Sequence, residues 1–405
     1  MPKLDTIIKA VESAREITFA AERYIWRNPE TGWKEVKTNK YLAERFEELG
    51  YELTYAENTT GFYTYLDTGK PGPCVLVMAE LDSVICPSHP ESNPETGAVH
   101  SCGHNAQCAA ILAVAKALKC EEVTKDLCGK IKLMAVPAEE LLEIGFRQEL
   151  REKGIIKYYG GKVEFMYRGY MDDVDVAIMV HTSGGSDKNF RFTKGSNGCM
   201  TKNFAFIGKA AHAGGSPQNG INALYAANLA MNAANSLRET FPDNDHIRFH
   251  PIIMNGGGAV NVIPERIEME SYVRGATMES FTRENKKLNR ALAGAAASMG
   301  AKLHITDAPG YMPLINEVNA KAVAAELMVE LAGEENCEIT EVWNNGCTDM
   351  GDVSCVIPSI HPYAYGAVGT GHGNNYYIED PERACIMSAK FQVAFISELL
   401  KDGGA

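Results

Sequence analysis

Cys74-Val75-Leu76-Val77-Met78-Ala79 runs directly into Glu80-Leu81-Asp82, and this junction decides the fold. The run is short for a helix, and it has no alternating polar face. It reads as a strand buried on both sides, the kind found in parallel sheets. Ile131 to Val136 and Val174 to Val180 repeat the pattern, and Ala109 to Leu118, between the first run and the second, reads as a small-residue amphipathic helix. Strands alternating with helices predict a mostly parallel sheet with helices on both faces. Upstream, the chain to about Leu49 reads as two helices broken at Asn28-Pro29-Glu30-Thr31-Gly32.

Downstream the pattern changes near Lys194. From Cys199 to about Thr306 it reads strand, long helix, two or three strands, helix, strand, which predicts an inserted α+β sandwich. After Pro309 the earlier alternation resumes with a helix over 316–332, strands near Ile339 and Val356, and a last helix from Pro381 to Leu400. The expected organisation is an α/β domain over 1–193 and 310–405, interrupted by a domain over 194–309.

The 405 residues carry 52 acidic and 39 basic side chains, a formal charge of -13. Such a balance argues against nucleic acid or an anionic membrane as partner, because both need a basic face. No apolar run reaches the roughly 18 residues of a membrane span. The start has no apolar signal region. The 11 cysteines are odd in number and irregularly spaced, so reduced thiols in a cytoplasm are expected rather than a disulfide framework.

Chemistry-bearing residues gather where the apolar runs end. Asp82 follows the first strand, Pro137-Ala138-Glu139-Glu140 the second, and His181 the third. Open α/β sheets build their sites at the carboxyl ends of strands. Cys102-Gly103-His104-Asn105 places a thiol and an imidazole two residues apart across a glycine able to turn the chain. Gly369-Thr370-Gly371-His372-Gly373 offers a histidine in a loop whose backbone, Gly371 included, can approach a ligand closely. Singly, each has a plain reading: a buried cysteine with a capping histidine, a solvated carboxylate pair, a strand-end cap. Jointly, at one sheet edge, they favour a metal site in which one glutamate is a ligand and its neighbour a general base.

With these motifs in this order, the chain resembles the dinuclear metallo-amidohydrolases that include aminoacylases, indole-acetyl-amino-acid hydrolases and p-aminobenzoyl-glutamate hydrolase. The resemblance also draws on Asn28-Pro29-Glu30, Gly208-Lys209-Ala210-Ala211-His212-Ala213, Asn261-Val262-Ile263-Pro264 and Thr348-Asp349-Met350-Gly351-Asp352-Val353-Ser354. It implies two divalent ions per chain, manganese or zinc. Cys102 would bridge them, His104 and His181 would complete one, and Glu140 and His372 the other. It further implies Glu139 as general base, Asp82 as the aspartate that orients a ligand, and His212 as an oxyanion donor reaching a partner subunit's site. Asn261 and Arg274 would hold the substrate carboxylate. The implied reaction is hydrolysis of an N-acyl or N-aroyl amino acid, or a dipeptide, by a homodimer or by a pairing with a related second subunit.

Two departures bear on the substrate. Many relatives of the indole-acetyl type have an aspartate and a histidine where Asn105 and Gln107 stand, and a second histidine beside the last ligand where Gly373 follows. Rival readings are a cysteine hydrolase with Cys102 as nucleophile and a non-catalytic metal- or peptide-binding subunit. The first leaves Glu140, His181 and His372 without a role, and the second is disfavoured by the complete ligand set and base.

Overall fold

The computed structural model describes residues Lys3–Lys401. They form two compact units: residues 3–194 with Ile315–Val342 and 352–401, and Gly195–Leu314 with Trp343–Gly351. The short segment Trp343–Gly351 thus groups with the second unit.

The first unit is built on a six-stranded sheet in the order Thr54–Tyr55, Phe62–Asp67, Lys130–Val136, Cys74–Glu80, Val176–Ile178, Ser359–Ile360. Its four inner-to-edge strands from Lys130–Val136 onward pair in parallel, and the other two join antiparallel. All seven residues of Cys74–Glu80 are buried, as the unbroken apolar run requires of a central strand. The helices Arg15–Trp26, His104–Ala117 and Ser388–Leu399 supply core residues such as Ile25, Ile111, Leu112 and Phe395. A second sheet carries His181–Gly184 in parallel with Tyr363–Val368, with Tyr363 opposite His181.

The second unit has a five-stranded antiparallel sheet centred on Arg266–Gly275 and Gly198–Ile207, with Lys302–Pro309, Arg248–Phe249 and Ile252–Asn255 outside them. The helices Ala223–Ser236 and Met278–Ser298 pack on it through Ala226, Ala227, Ala230, Leu288 and Leu292. Thr277 opens the longer helix with a capping box to Ser280. This is the α/β body with a separate antiparallel α+β insert that the pattern predicts.

The local differences have physical causes. The N-terminal stretch holds three helices, Leu4–Glu12, Arg15–Trp26 and Val36–Glu48, and where the first ends the Ser13 hydroxyl donates to the Ala10 carbonyl (2.7 Å). The strand expected near Val356 lies at Ser359–Ile360; Val356 is exposed, and the Pro358 carbonyl accepts from Ala177 N (3.0 Å). The last helix opens with a wider turn over Glu382–Met387 before Ser388–Leu399.

Candidate metal centre and active site

The carboxyl ends of three strands and two loops of the first unit converge on the Cys102 sulfur. Gly103 holds a φ of 88°, which only glycine adopts freely, and this turn starts the helix His104–Ala117. His181 Nε2 stands 3.5 Å from Cys102 Sγ, and His372 Nε2 stands 3.3 Å away. His372 Nε2 is also 3.0 Å from Glu140 Oε1. His372 itself has a φ of 61°, and its N–H donates to the Ser101 carbonyl (2.7 Å), tying the glycine loop to the Cys102 turn.

Three donor groups result: Cys102, His104 and His181; Cys102, Glu140 and His372; Glu80, His104 and Glu139. Cys102 is common to the first two and His104 links the first to the third.

Asp82 fastens two of these residues at once. Its carbonyl (2.8 Å) and carboxylate Oδ1 (3.2 Å) lie beside His104 Nδ1, and its Oδ2 accepts from Glu140 N (2.9 Å). With Nδ1 engaged, His104 presents Nε2 to the centre. That buried nitrogen makes no well-formed hydrogen bond, although Glu80 Oε2 lies 3.1 Å away.

The electrostatics are those of a site short of positive charge. Burial opposes charge on His104, yet Glu80 and Cys102 raise its pKa well above the ordinary value. His181 is raised against burial by Cys102. The Glu140 carboxylate and Cys102 lift His372 to about 11. Burial and Glu140 push the Cys102 thiol up, but the His104 and His181 imidazoles pull it down to about 6, so it is a thiolate at neutral pH. Burial also raises Glu140, and His372 brings it down to about 2. A cluster of thiolate, carboxylates and imidazoles that recruits protons onto its histidines fits divalent cations, whose charge would replace those protons.

Several groups at the centre have no role in the sequence reading. Glu80 is fully buried, paired with Lys162 Nζ (2.5 Å) and accepting from Gln107 Nε2 (2.8 Å). Lys162 holds the Glu80 carboxyl below the usual range against its burial. Gln107 thus has a definite task at one of the departures noted above; Asn105, at the other, donates to Glu22 (2.7 Å). Thr182 and Tyr376 join their hydroxyls (2.9 Å) behind Gly103. His361 stands behind His181 with ring centroids 5.8 Å apart, its Nδ1 at the Met179 carbonyl (2.8 Å). Burial keeps His361 and His100 neutral, both with pKa lowered to about 3.

The remaining candidates fall elsewhere. Gly371 is exposed in the loop before His372. His212, Asn261 and Arg274 belong to the second unit, outside the metal-donor groups. There the exposed His212 is bracketed by Asn261: Ala213 N donates to the Asn261 carbonyl (2.9 Å), and His212 bridges Val262. His212 Nδ1 accepts from Gly214 N (3.2 Å) and Gly215 N (2.9 Å), which leaves Nε2 as the protonated, donating nitrogen. Arg274 lies on the central strand Arg266–Gly275 with its guanidinium 5.5 Å from the Tyr272 ring centroid.

Comparison with known proteins agrees with this picture. The model of peptidase family M20/M25/M40 matches residues 76–398. A hippurate hydrolase of Campylobacter jejuni is 27% identical over 322 residues, covering 78% of this chain and 79% of that protein. An Xaa-Arg dipeptidase of Mus musculus is 29% identical over 381 residues, covering 90% and 80%. Among solved structures, a dinuclear metal binding peptidase from Bacillus subtilis superposes with a TM-score of 0.69 at 19% identity, over 96% of this chain and 99% of that one.

Proposed function

The chain belongs to peptidase family M20/M25/M40, and from that premise we propose that it hydrolyses the amide bond of an N-acyl or N-aroyl amino acid, or of a dipeptide, with a free carboxylate. The observation that carries this reading is the Cys102 sulfur shared by two donor groups, with Glu139 in a third group joined to them through His104. Cys102, His104 and His181 would hold one divalent ion, and Cys102, Glu140 and His372 a second. Manganese or zinc suits a set that mixes thiolate, imidazole and carboxylate. When bound, such ions acidify coordinated water toward a pKa of about 7 and polarise a carbonyl oxygen.

The protein's own groups do the rest. Glu139 takes a proton from the attacking water and returns it to the leaving amine nitrogen. Asp82 keeps the His104 ring and the Glu140 backbone in place. His212 offers Nε2–H to the oxygen that becomes negative in the transition state, a kind of contact worth about 3–4 kcal/mol. Its two Gly–N–H bonds support this role because they keep the ring in the donating tautomer. Asn261 and Arg274 bind the substrate carboxylate, and Gly371 lends backbone to substrate binding. A homodimer in which His212 serves the partner's site is part of the proposal, with a related second subunit as the variant assembly. Cysteines that form no disulfide among the described residues support a reducing, cytoplasmic setting. Among the described residues no helix is long and apolar enough to cross a membrane.

The test is a screen of N-acyl, N-aroyl and dipeptide substrates with each divalent metal, before and after chelation. Metal-restored turnover of at least one class supports the reading. Turnover that survives complete chelation points to a thiol hydrolase instead, and no turnover with a filled metal site refutes it.

A further inference from the structure

The loop bearing the two glutamates is gripped by groups that the chemistry above does not use. Ala138, just before Glu139, has a φ of 57°, a left-handed conformation that a residue with a Cβ disfavours. Trp33 (φ 66°) and Glu143 (φ 51°) share that conformation, and Trp33 packs with Ala138 and Ile156. Such strain persists only where the surroundings over-determine it, and it concentrates at working sites.

The surroundings here are specific. Ala138 N donates to Glu35 Oε1 (2.8 Å), and Glu35 is fully buried. The guanidinium of Arg147 forks between the two carbonyls that flank Glu139: Nη1 donates to Ala138 O (3.3 Å) and Nη2 to Glu140 O. Nη1 also donates to Tyr159 O (2.7 Å). Gly161 N adds a bond to Ala138 O (3.2 Å). Arg147 is 1% exposed, and its charge acts on the Glu143 carboxyl. A buried guanidinium is costly unless its donors are used, and Nη1 and Nη2 are spent on the Ala138, Tyr159 and Glu140 carbonyls. A Cβ on Gly32 would come within 2.6 Å of Arg147 Nη2 and 2.8 Å of Ala138 Cα, so the N-terminal Asn28–Gly32 stretch leaves the space that the clamp fills.

We propose that Glu35 and Arg147 are positioning residues that hold Ala138 left-handed and thereby aim Glu139 at the substrate and Glu140 at the metal. The proposal rests on the functional reading above. Arg147 touches no reacting atom; it acts through the backbone on either side of the base.

The experiment pairs Arg147→Met with the same change in an Ala138→Gly chain, since glycine adopts the left-handed conformation without the clamp. Arg147→Met should lower kcat at least ~10-fold with KM within about twofold, because the base is misaimed and substrate contacts remain. Ala138→Gly should recover several-fold of that loss. A residue that only stabilises the fold would move the denaturation midpoint and leave kcat of the folded fraction and its rescue unmoved. Calorimetric titration with manganese or zinc gives a readout independent of turnover. Arg147→Met should weaken binding at the ion that Glu140 holds, and Ala138→Gly should restore it. If the unaltered chain binds metal but cleaves no N-acyl amino acid or dipeptide, the functional reading fails and the clamp is judged on titration alone. Should Arg147→Met not fold, Arg147→Lys replaces it, keeping the charge but not the fork. Wild-type kcat and wild-type metal affinity in either folded variant would overturn the proposal, as would a loss that Ala138→Gly does not relieve.

Discussion

Replacing Gly103 by alanine tests whether the turn between Cys102 and His104 is set by shape or only by glycine's flexibility. Two costs are separable. The φ of 88° costs an alanine about 1–2 kcal/mol wherever it occurs. The new Cβ would also overlap Thr182 Oγ1 and Tyr376 Oη, and would lie 3.1 Å from Thr182 Cβ. Those hydroxyls bond each other (2.9 Å), and Thr182 donates to the Cys102 carbonyl (3.3 Å). Displacing them in a packed interior adds about 1–3 kcal/mol. Gly103→Ala should therefore destabilise the metal-free chain by roughly 2–5 kcal/mol, read from urea unfolding. In a Thr182→Ala/Tyr376→Phe background both overlapping oxygens are gone and only the 3.1 Å contact with the Cβ of residue 182 remains, so the same change should cost less, approaching the conformational share of about 1–2 kcal/mol. Equal costs in the two backgrounds would refute the steric argument, and a cost below about 0.5 kcal/mol in the wild-type background would refute the whole account.

Glu139→Gln should keep metal and substrate binding while losing several orders of magnitude in turnover, whereas Glu140→Gln should lose metal; elemental analysis of both variants showing the reverse would swap the two roles. His212→Ala should lower kcat with little change in KM, since its contact forms mainly in the transition state. Mixing that chain with Glu139→Gln should restore part of the activity if the histidine serves a neighbouring site, and full activity in His212→Ala alone would dismiss its role. Burial and the Asp82 charge push the Glu35 carboxyl up to about 8. A raised acid pKa stabilises the folded chain most below the unfolded value near 4.3, and that contribution is lost as pH rises to about 8. The metal-free protein should lose on the order of 1 kcal/mol per pH unit across that window from this group, and Glu35→Gln should flatten the slope. Parallel pH profiles for the two chains would remove Glu35 from the account.

Where a motif is local in the chain, its reading from sequence is direct. Cys102, Gly103 and His104 sit within one turn, and Asp82, Glu139 and His181 sit at or just beyond apolar strands, so composition and order reveal them. Glu80 stood in view beside Asp82, but its role depends on Lys162, 82 positions away, which no spacing announces. Arg147 lies in a polar amphipathic helix, Ile144–Glu152, that reads as an ordinary surface element. Only the folded chain turns its guanidinium inward to the Ala138 and Glu140 carbonyls. Ser13-Ala14 escapes notice as a helix break because neither residue is a strong breaker.

The strand order of the six-stranded sheet sets a timetable for biosynthesis. Val176–Ile178 emerges from the ribosome long before its neighbour Ser359–Ile360, with all of Gly195–Leu314 in between. At about 5–20 residues per second the nascent chain carries an unpaired sheet edge for roughly 10–40 s. His372, from the same late stretch, cannot join Cys102 and Glu140 until then. An open edge next to an incomplete thiol site is a place for wrong pairing with other chains, and chaperone demand and metal supply should therefore matter most in the closing seconds of translation.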